Sequence, residues 1–212
     1  MKKNKYHLLI LSVLTSFLLV ACQSETPVSP EDSFYTAKLD SGNGGGGNGG
    51  GGIGGGHHGT GGGELTQQER DGLIHMRIEE KLARDVYIVM GDLWNYEVFL
   101  NIQLSEQKHM DAIKRLLVKY NVPDPITDNT VGVFPDPQFQ TLYNQYIVQG
   151  TQSLEQALLA GITIEELDIA DLVNQLSFVD NQDIIRVYQN LKAASENHLT
   201  ALTGCTDVFS VK

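Results

Sequence analysis

Thiols are scarce in this chain of 212 residues, which holds two cysteines, Cys22 and Cys205. No cysteine pair suited to zinc exists, and a disulfide-rich scaffold is ruled out. Basic residues are also few, 15 Lys and Arg against 26 Asp and Glu, for a formal charge of -11. So acidic a surface argues against nucleic-acid binding, which rests on neutralising phosphates. It attracts cations instead. No Ser–His–Asp order points to hydrolysis. The glycines lack the strand–turn–helix context that a phosphate loop requires. Nothing in the globular part reads as a convincing strand.

What is present divides the chain. Lys2, Lys3 and Lys5 precede an apolar run from Leu8 to Val20, short against the roughly 20 residues of a membrane span. A basic start, a short apolar run and small residues at its end make residues 1–21 a secretory signal. Leu19-Val20-Ala21-Cys22 resembles a bacterial lipobox. That resemblance implies cleavage before Cys22, lipidation of Cys22 and anchorage to a bilayer of the bacterial cell envelope, facing periplasm or exterior. Gln23 and Ser24 give no retention signal of the aspartate type. With Cys22 lipidated, no intramolecular disulfide is expected. Residues 22–64 are polar and then almost pure glycine, a flexible tether too poor in apolar surface to offset its backbone entropy. His57-His58 reads as part of that tether rather than as a metal site.

The folded domain is expected over residues 65–204, with a short tail at 205–212. Thr66 and Glu69 suggest a capping box for a first helix reaching about Met90. A second helix starts at Asp92 or Asn95 and ends near Tyr120. A proline-bearing connection from Asn121 to Pro135 leads to Asp136-Pro137, an N-cap with proline at the first helical position, and a short helix to about Val148. Thr151 or Ser153 caps a further helix over Leu154 to Leu176. The last runs from Asp180 to about Thr203, with Gly204 as its stop. The expectation is an all-α, four-helix bundle with a long crossover that contains a short extra helix.

Each long helix carries polar residues where its three–four seam should be apolar. The first seam is Leu73, Met76, Glu80, Ala83, Tyr87, Met90. The second is Phe99, Ile102, Glu106, His109, Ile113, Leu116, Tyr120. The third is Ile162, Glu166, Ile169, Val173, Leu176, and the fourth is Ile184, Tyr188, Leu191, Ser195, His198, Leu202. Buried charges need partners or a metal. Arg77, Arg84, Lys108 and Lys114 are the available partners if the seam carboxylates pair internally. Glu79, on a face with His75, is the alternate to Glu80. Glu165, with a seam of its own through Ile162, Ile169 and Leu172, is the alternate to Glu166. Asp168 and Asp171 fall on a more polar face and read as solvated.

Two helices, a long crossover and two more helices is similar to the ferritin-like superfamily. There two helices each give a Glu and the other two each give Glu-x-x-His. Residues three apart on a helix reach the same metal, and Glu106-x-x-His109 has that spacing. The stretches Glu79-Glu80-Lys81-Leu82-Ala83-Arg84-Asp85-Val86-Tyr87, Glu165-Glu166-Leu167-Asp168-Ile169 and Asn197-His198-Leu199 also resemble an uncharacterised bacterial family of ferritin-like domains. The resemblance implies metal ligation by Glu80, Glu106, His109, Glu166 and His198, with iron (two ions) or manganese as cofactor. It implies oxidoreductase chemistry on oxygen, peroxide or ferrous iron, with Tyr87 ordering a bound oxidant, and it is compatible with a homodimer. One position departs: Ser195 stands where the second Glu-x-x-His needs its glutamate, and Glu196 falls on the polar stripe. A non-catalytic envelope metal-binding or scaffold bundle is the alternative.

Overall fold

The computed structural model describes residues 63–210. The signal segment, Cys22, the tether and His57-His58 lie outside the described residues. Helix α1 (Gln67–Trp94) opens on the expected capping box, in which Thr66 and Glu69 each satisfy the other's backbone N–H. Glu69 also accepts from the Asp180 and Asn181 backbone N–H groups at 3.2 and 3.0 Å. The start of α1 is thereby tied to a connection more than a hundred residues away in sequence.

The helix boundaries correct the sequence reading in two places. Helix α1 runs on past Met90 and stops at Asn95, which takes the left-handed conformation (φ 46°) and bonds back to the Gly91 carbonyl. Helix α2 (Glu97–Lys119) therefore begins beyond Asn95, with Tyr96 as its N-cap. Helix α3 (Pro137–Gly150) starts at the Asp136 cap and α4 (Leu154–Leu176) at the Ser153 cap, both as expected. Helix α5 (Gln182–Ser210) continues through Gly204, which does not adopt a positive φ and so ends nothing. As a result Cys205 sits inside the helix rather than in a frayed tail. It is fully buried. The chain's other cysteine, Cys22, lies outside the described residues.

Among the described residues the domain is all-α, with five helices and no strand. Helix α1 packs on α2 and α4, α5 packs on α2 and α4, and α3 lies against α1 and α4. The buried side chains fall into two apolar clusters. One contains Ala83, Tyr87, Phe99, Ile102, Leu158, Ile164 and Leu202. The other contains Leu73, Met76, Ile113, Leu116, Leu172, Ile184, Tyr188 and Leu191.

Helices α1 and α5 run from the second cluster to the first, whereas α2 and α4 run from the first to the second. This order of directions puts the midpoints of four helices at one level between two dry layers. No helix among the described residues is long and apolar enough to cross a membrane.

The long connection before α3 is pinned to α1 by charge. Buried Asp85 accepts from Lys81, from Arg84 Nε at 2.9 Å and from the Gly132 backbone N–H at 2.9 Å. Lys81 also donates to the Thr130 carbonyl, and Arg84 to Asn129 and Gln107. Gly132 needs its positive φ of 81°, and a Cβ there would meet the Tyr143 ring at 2.9 Å. Asp85→Ala strands two buried cations, so a loss of about 3–5 kcal/mol is expected. Denaturant unfolding measures it.

Candidate metal centre

The level between the two apolar clusters holds the polar seam residues. Three of the four expected seams are buried, apart from half-buried Tyr120 at the end of the second: those through Glu80 on α1, through Glu106 and His109 on α2, and through Ser195 and His198 on α5. The α4 seam is corrected. Glu166 is exposed, as is Val173, while Glu165 is 1% exposed and points inward. The inward face of α4 runs through Leu158, Gly161, Glu165, Asp168 and Leu172. Gly161 marks its contact side, since a Cβ there would lie 3.2 Å from both Leu202 and the Tyr87 ring.

The site is built around one carboxylate. Glu106 Oε2 lies 2.8 Å from His109 Nδ1, and Glu106 Oε1 lies 2.9 Å from His198 Nδ1. Each histidine faces a second carboxylate: His109 Nδ1 is 3.2 Å from Glu80 Oε2, and His198 Nδ1 is 3.5 Å from Glu165 Oε2. The two imidazoles stack at 5.7 Å. Two triads result, Glu80–Glu106–His109 and Glu106–Glu165–His198, with ligand-capable atoms within 4.8 Å of one another in each. Glu106 belongs to both.

Asp168 was missed as an inward residue. It is buried and accepts from Ser195 Oγ at 2.6 Å. Thus the serine in place of the second Glu-x-x-His glutamate orients a carboxylate supplied by α4. The signal was available, because Glu165-x-x-Asp168 has the same spacing as Glu106-x-x-His109. Glu196 is exposed and pairs with Lys192, as its place on the polar stripe implies. Tyr87 is fully buried; its hydroxyl donates to Glu165 Oε1 at 2.6 Å and lies 3.2 Å from the Gly161 carbonyl. That proton positions Glu165.

This layer holds more acidic groups, Glu80, Glu106, Glu165 and Asp168, than imidazoles to partner them, His109 and His198. Burial pushes the Glu80 carboxyl well above the usual carboxylate range despite His109 beside it. Burial and the neighbouring Glu80 do the same to Asp168. Burial also raises Glu165 against the pull of His198, and its carboxylate and burial together raise the Tyr87 hydroxyl well above its usual range. Burial would raise Glu106 as well, but His109 and His198 outweigh it and hold this carboxyl low. Burial opposes charge on His198, yet Glu106 and Glu165 lift its pKa to about 9. Glu106 and Glu80 likewise raise His109.

The arginines do not relieve the excess. Arg77 pairs with Asp124 at 3.1 Å and Arg84 with Asp85 at 2.6 Å. Glu80 Oε1, Glu106 Oε1, Asp168 Oδ1 and His198 Nδ1 are all buried with no hydrogen bond. The close His198–Glu106 approach is thus an ion-pair contact off hydrogen-bond geometry. Orphaned buried acceptors are costly, and a set of carboxylate oxygens and imidazole nitrogens suits first-row divalent metals. The residues fit a metal.

Ser195→Ala removes the group that orients Asp168. Since partners that orient a ligand are worth about 10–100-fold in metal affinity, a loss of that size with the helical content retained is expected in a metal titration followed by circular dichroism.

Residues 69–207 match the family described as an uncharacterized protein domain, DUF2202. The chain belongs to this family. Within reach of it stands the uncharacterized protein MJ0754 of Methanocaldococcus jannaschii, 50% identical over 137 residues that span 65% of this chain and 74% of that protein. The crystal structure of hypothetical protein MJ0754 from Methanococcus jannaschii superposes with a TM-score of 0.68 at 46% identity, covering 69% of this chain and 83% of that one. A crystal structure of a DUF305 fragment from Deinococcus radiodurans shares the fold at 18% identity and a TM-score of 0.50, over 68% of this chain and 98% of that one. This DUF2202 domain therefore carries two buried Glu/His triads that could hold metal.

Proposed function

We propose that this DUF2202 domain is a ferritin-like protein with a dinuclear carboxylate centre for iron or manganese. Glu80 and His109 would hold one ion, Glu165 and His198 the other, and Glu106 would serve both, with Asp168 as the fourth carboxylate of the layer after Glu80, Glu106 and Glu165. The observation that carries this reading is Glu106, whose two oxygens each face a different histidine. The up–down, crossover, down–up order of the four long helices supports the ferritin-like assignment.

Two ions bound there would supply redox chemistry on oxygen, peroxide or ferrous iron. The chain itself supplies the dry surroundings, the Tyr87 proton that orients Glu165 and the Ser195 proton that orients Asp168. Anaerobic loading with ferrous iron followed by oxygen tests the reaction: oxygen consumption in proportion to iron is expected, and none would remove the redox claim.

Metal storage without turnover is the second reading, favoured by Ser195 in place of a glutamate. Kinetics after loading separate the two, because storage leaves metal bound with no repeated oxygen consumption.

We further propose that Cys22 carries lipid and holds the domain at the cell envelope. A lipidated sulfur cannot also join a disulfide, and the chain has two cysteines. The intact mass of the mature protein distinguishes them. A diacylglycerol adduct beginning at Cys22 is expected; an unacylated chain contradicts the anchor.

A further inference from the structure

A second group of ligating side chains lies beside the buried centre but opens to solvent. His75 Nε2 is 3.0 Å from Asp171 Oδ2 and 3.5 Å from Glu79 Oε2, and all three ligand-capable atoms fall within 4.8 Å of one another. His75 and Asp171 are half-exposed, with side chains 40% and 33% accessible. Phe139 of α3 packs on the imidazole with ring centroids 5.3 Å apart. Glu79 is 3% exposed, and neither of its carboxylate oxygens has a hydrogen-bond partner. A buried carboxylate with both oxygens unused and one aimed at an imidazole marks a ligand position rather than a solvated acidic patch.

The placement relates this group to the buried centre. On α1, Glu79 and Glu80 are consecutive, the first in the outer group and the second in the inner. On α4, Asp171 and Asp168 are one turn apart, the first in the outer group and the second in the inner layer. Carboxylates therefore line the α1–α4 seam from the surface inward, from Asp171 to Glu79, Asp168 and Glu80. Both Glu79 oxygens, Asp168 Oδ1 and Glu80 Oε1 have no hydrogen bond.

We infer that His75, Glu79 and Asp171 form an outer site for one divalent first-row cation, which it takes from solvent and passes along the α1–α4 seam to the buried centre. One imidazole and two carboxylates suit ferrous or manganous ions, and the acidic surface raises the local concentration of cations. The site itself stands on its own geometry; its relay role rests on the dinuclear reading above.

The test uses the full chain with Mn²⁺ as the probe, in wild type and in the double variant His75→Ala/Asp171→Asn, whose side chains are half-exposed and leave the core intact. The double variant is expected to bind one Mn²⁺ fewer per chain and to fill its buried sites roughly tenfold more slowly. An unchanged Mn²⁺ count overturns the outer site. One ion fewer with an unchanged filling rate overturns the relay and keeps the site. Adding the double variant to Glu106→Ala separates this inference from the dinuclear reading. A single Mn²⁺ bound by Glu106→Ala and lost in the triple variant establishes the outer site whatever the buried centre holds.

Discussion

Replacing Glu106 by alanine is expected to empty both halves of the buried centre at once. Other carboxylates serve one histidine each, but Glu106 faces His109 through one oxygen and His198 through the other. Its loss leaves the pairs Glu80–His109 and Glu165–His198, two ligands apiece, too few to hold a first-row ion against water. Even partners that only orient a ligand are worth about 10–100-fold in affinity, so a shared ligand should cost more than roughly 100-fold at each position. Metal content should fall from two ions per chain to none in the buried centre. Glu80→Ala should spare the Glu165–His198 half and lose one ion. Glu166→Ala should change nothing, because that side chain is exposed. Metal analysis of the three purified variants reads the pattern, and equal losses in Glu106→Ala and Glu166→Ala would contradict it.

Removing the metal should make the domain less stable, and increasingly so as pH rises. In the metal-free protein, burial raises the carboxyls of Glu79, Glu80 and Asp168 above their ordinary values of 4.5, 4.5 and 3.8. The folded chain holds those protons after the unfolded chain has released them, so each group favours the fold at low pH and loses that effect as pH climbs through its folded pKa. His198 acts in the same direction. Its pKa rises from 6.5 to about 9, a stabilisation of about 3 kcal/mol that is complete below pH 6.5 and gone above about 9. Glu106 runs the other way: its lowered pKa stabilises the fold above about pH 4.5, and that contribution is lost as the solution is acidified. Metal-free stability should therefore peak near pH 5 and decline toward pH 9.

Metal bound at the proposed centre should reverse the trend, because the ligands must be deprotonated to bind it. With each ion at a hundredfold its Kd, two sites contribute about 5 kcal/mol, or roughly 15 °C in the midpoint of a domain of this size. Thermal melts with and without chelator from pH 5 to pH 9 measure this. The gap should widen with pH, and a melt that chelator does not move contradicts it.

Sequence periodicity identifies the inward faces where apolar residues bracket the polar ones. Met76 and Ala83 around Glu80, Ile102 and Ile113 around Glu106 and His109, and Leu191 and Leu202 around His198 identify faces that are indeed buried. It failed on α4 because the inward face there is the less hydrophobic one. Gly161, Glu165 and Asp168 point in, while Ile162, Ile169 and Val173 form a more apolar stripe that is partly or well exposed. Periodicity therefore favoured Glu166 over Glu165 by one residue, about 100° around the helix.

Tertiary approach decides such a face: Gly161 lets Tyr87 and Leu202 close on α4, and no local pattern carries that information. The ends of helices failed for a related reason. Asn95 ends α1 through a left-handed backbone, whereas Gly204, a residue suited to that role, stays helical because α5 continues packing through Cys205. The outer group around His75 needed α4 beside α1, which only the fold supplies.

The most direct measurement is anomalous diffraction from crystals of the full chain loaded with manganous or ferrous ion, collected on either side of the metal edge. The dinuclear account predicts two buried peaks about 3.5–4 Å apart, one beside Glu80 and His109, the other beside Glu165 and His198, with the Glu106 carboxylate between them. A single buried peak, or none, would contradict it.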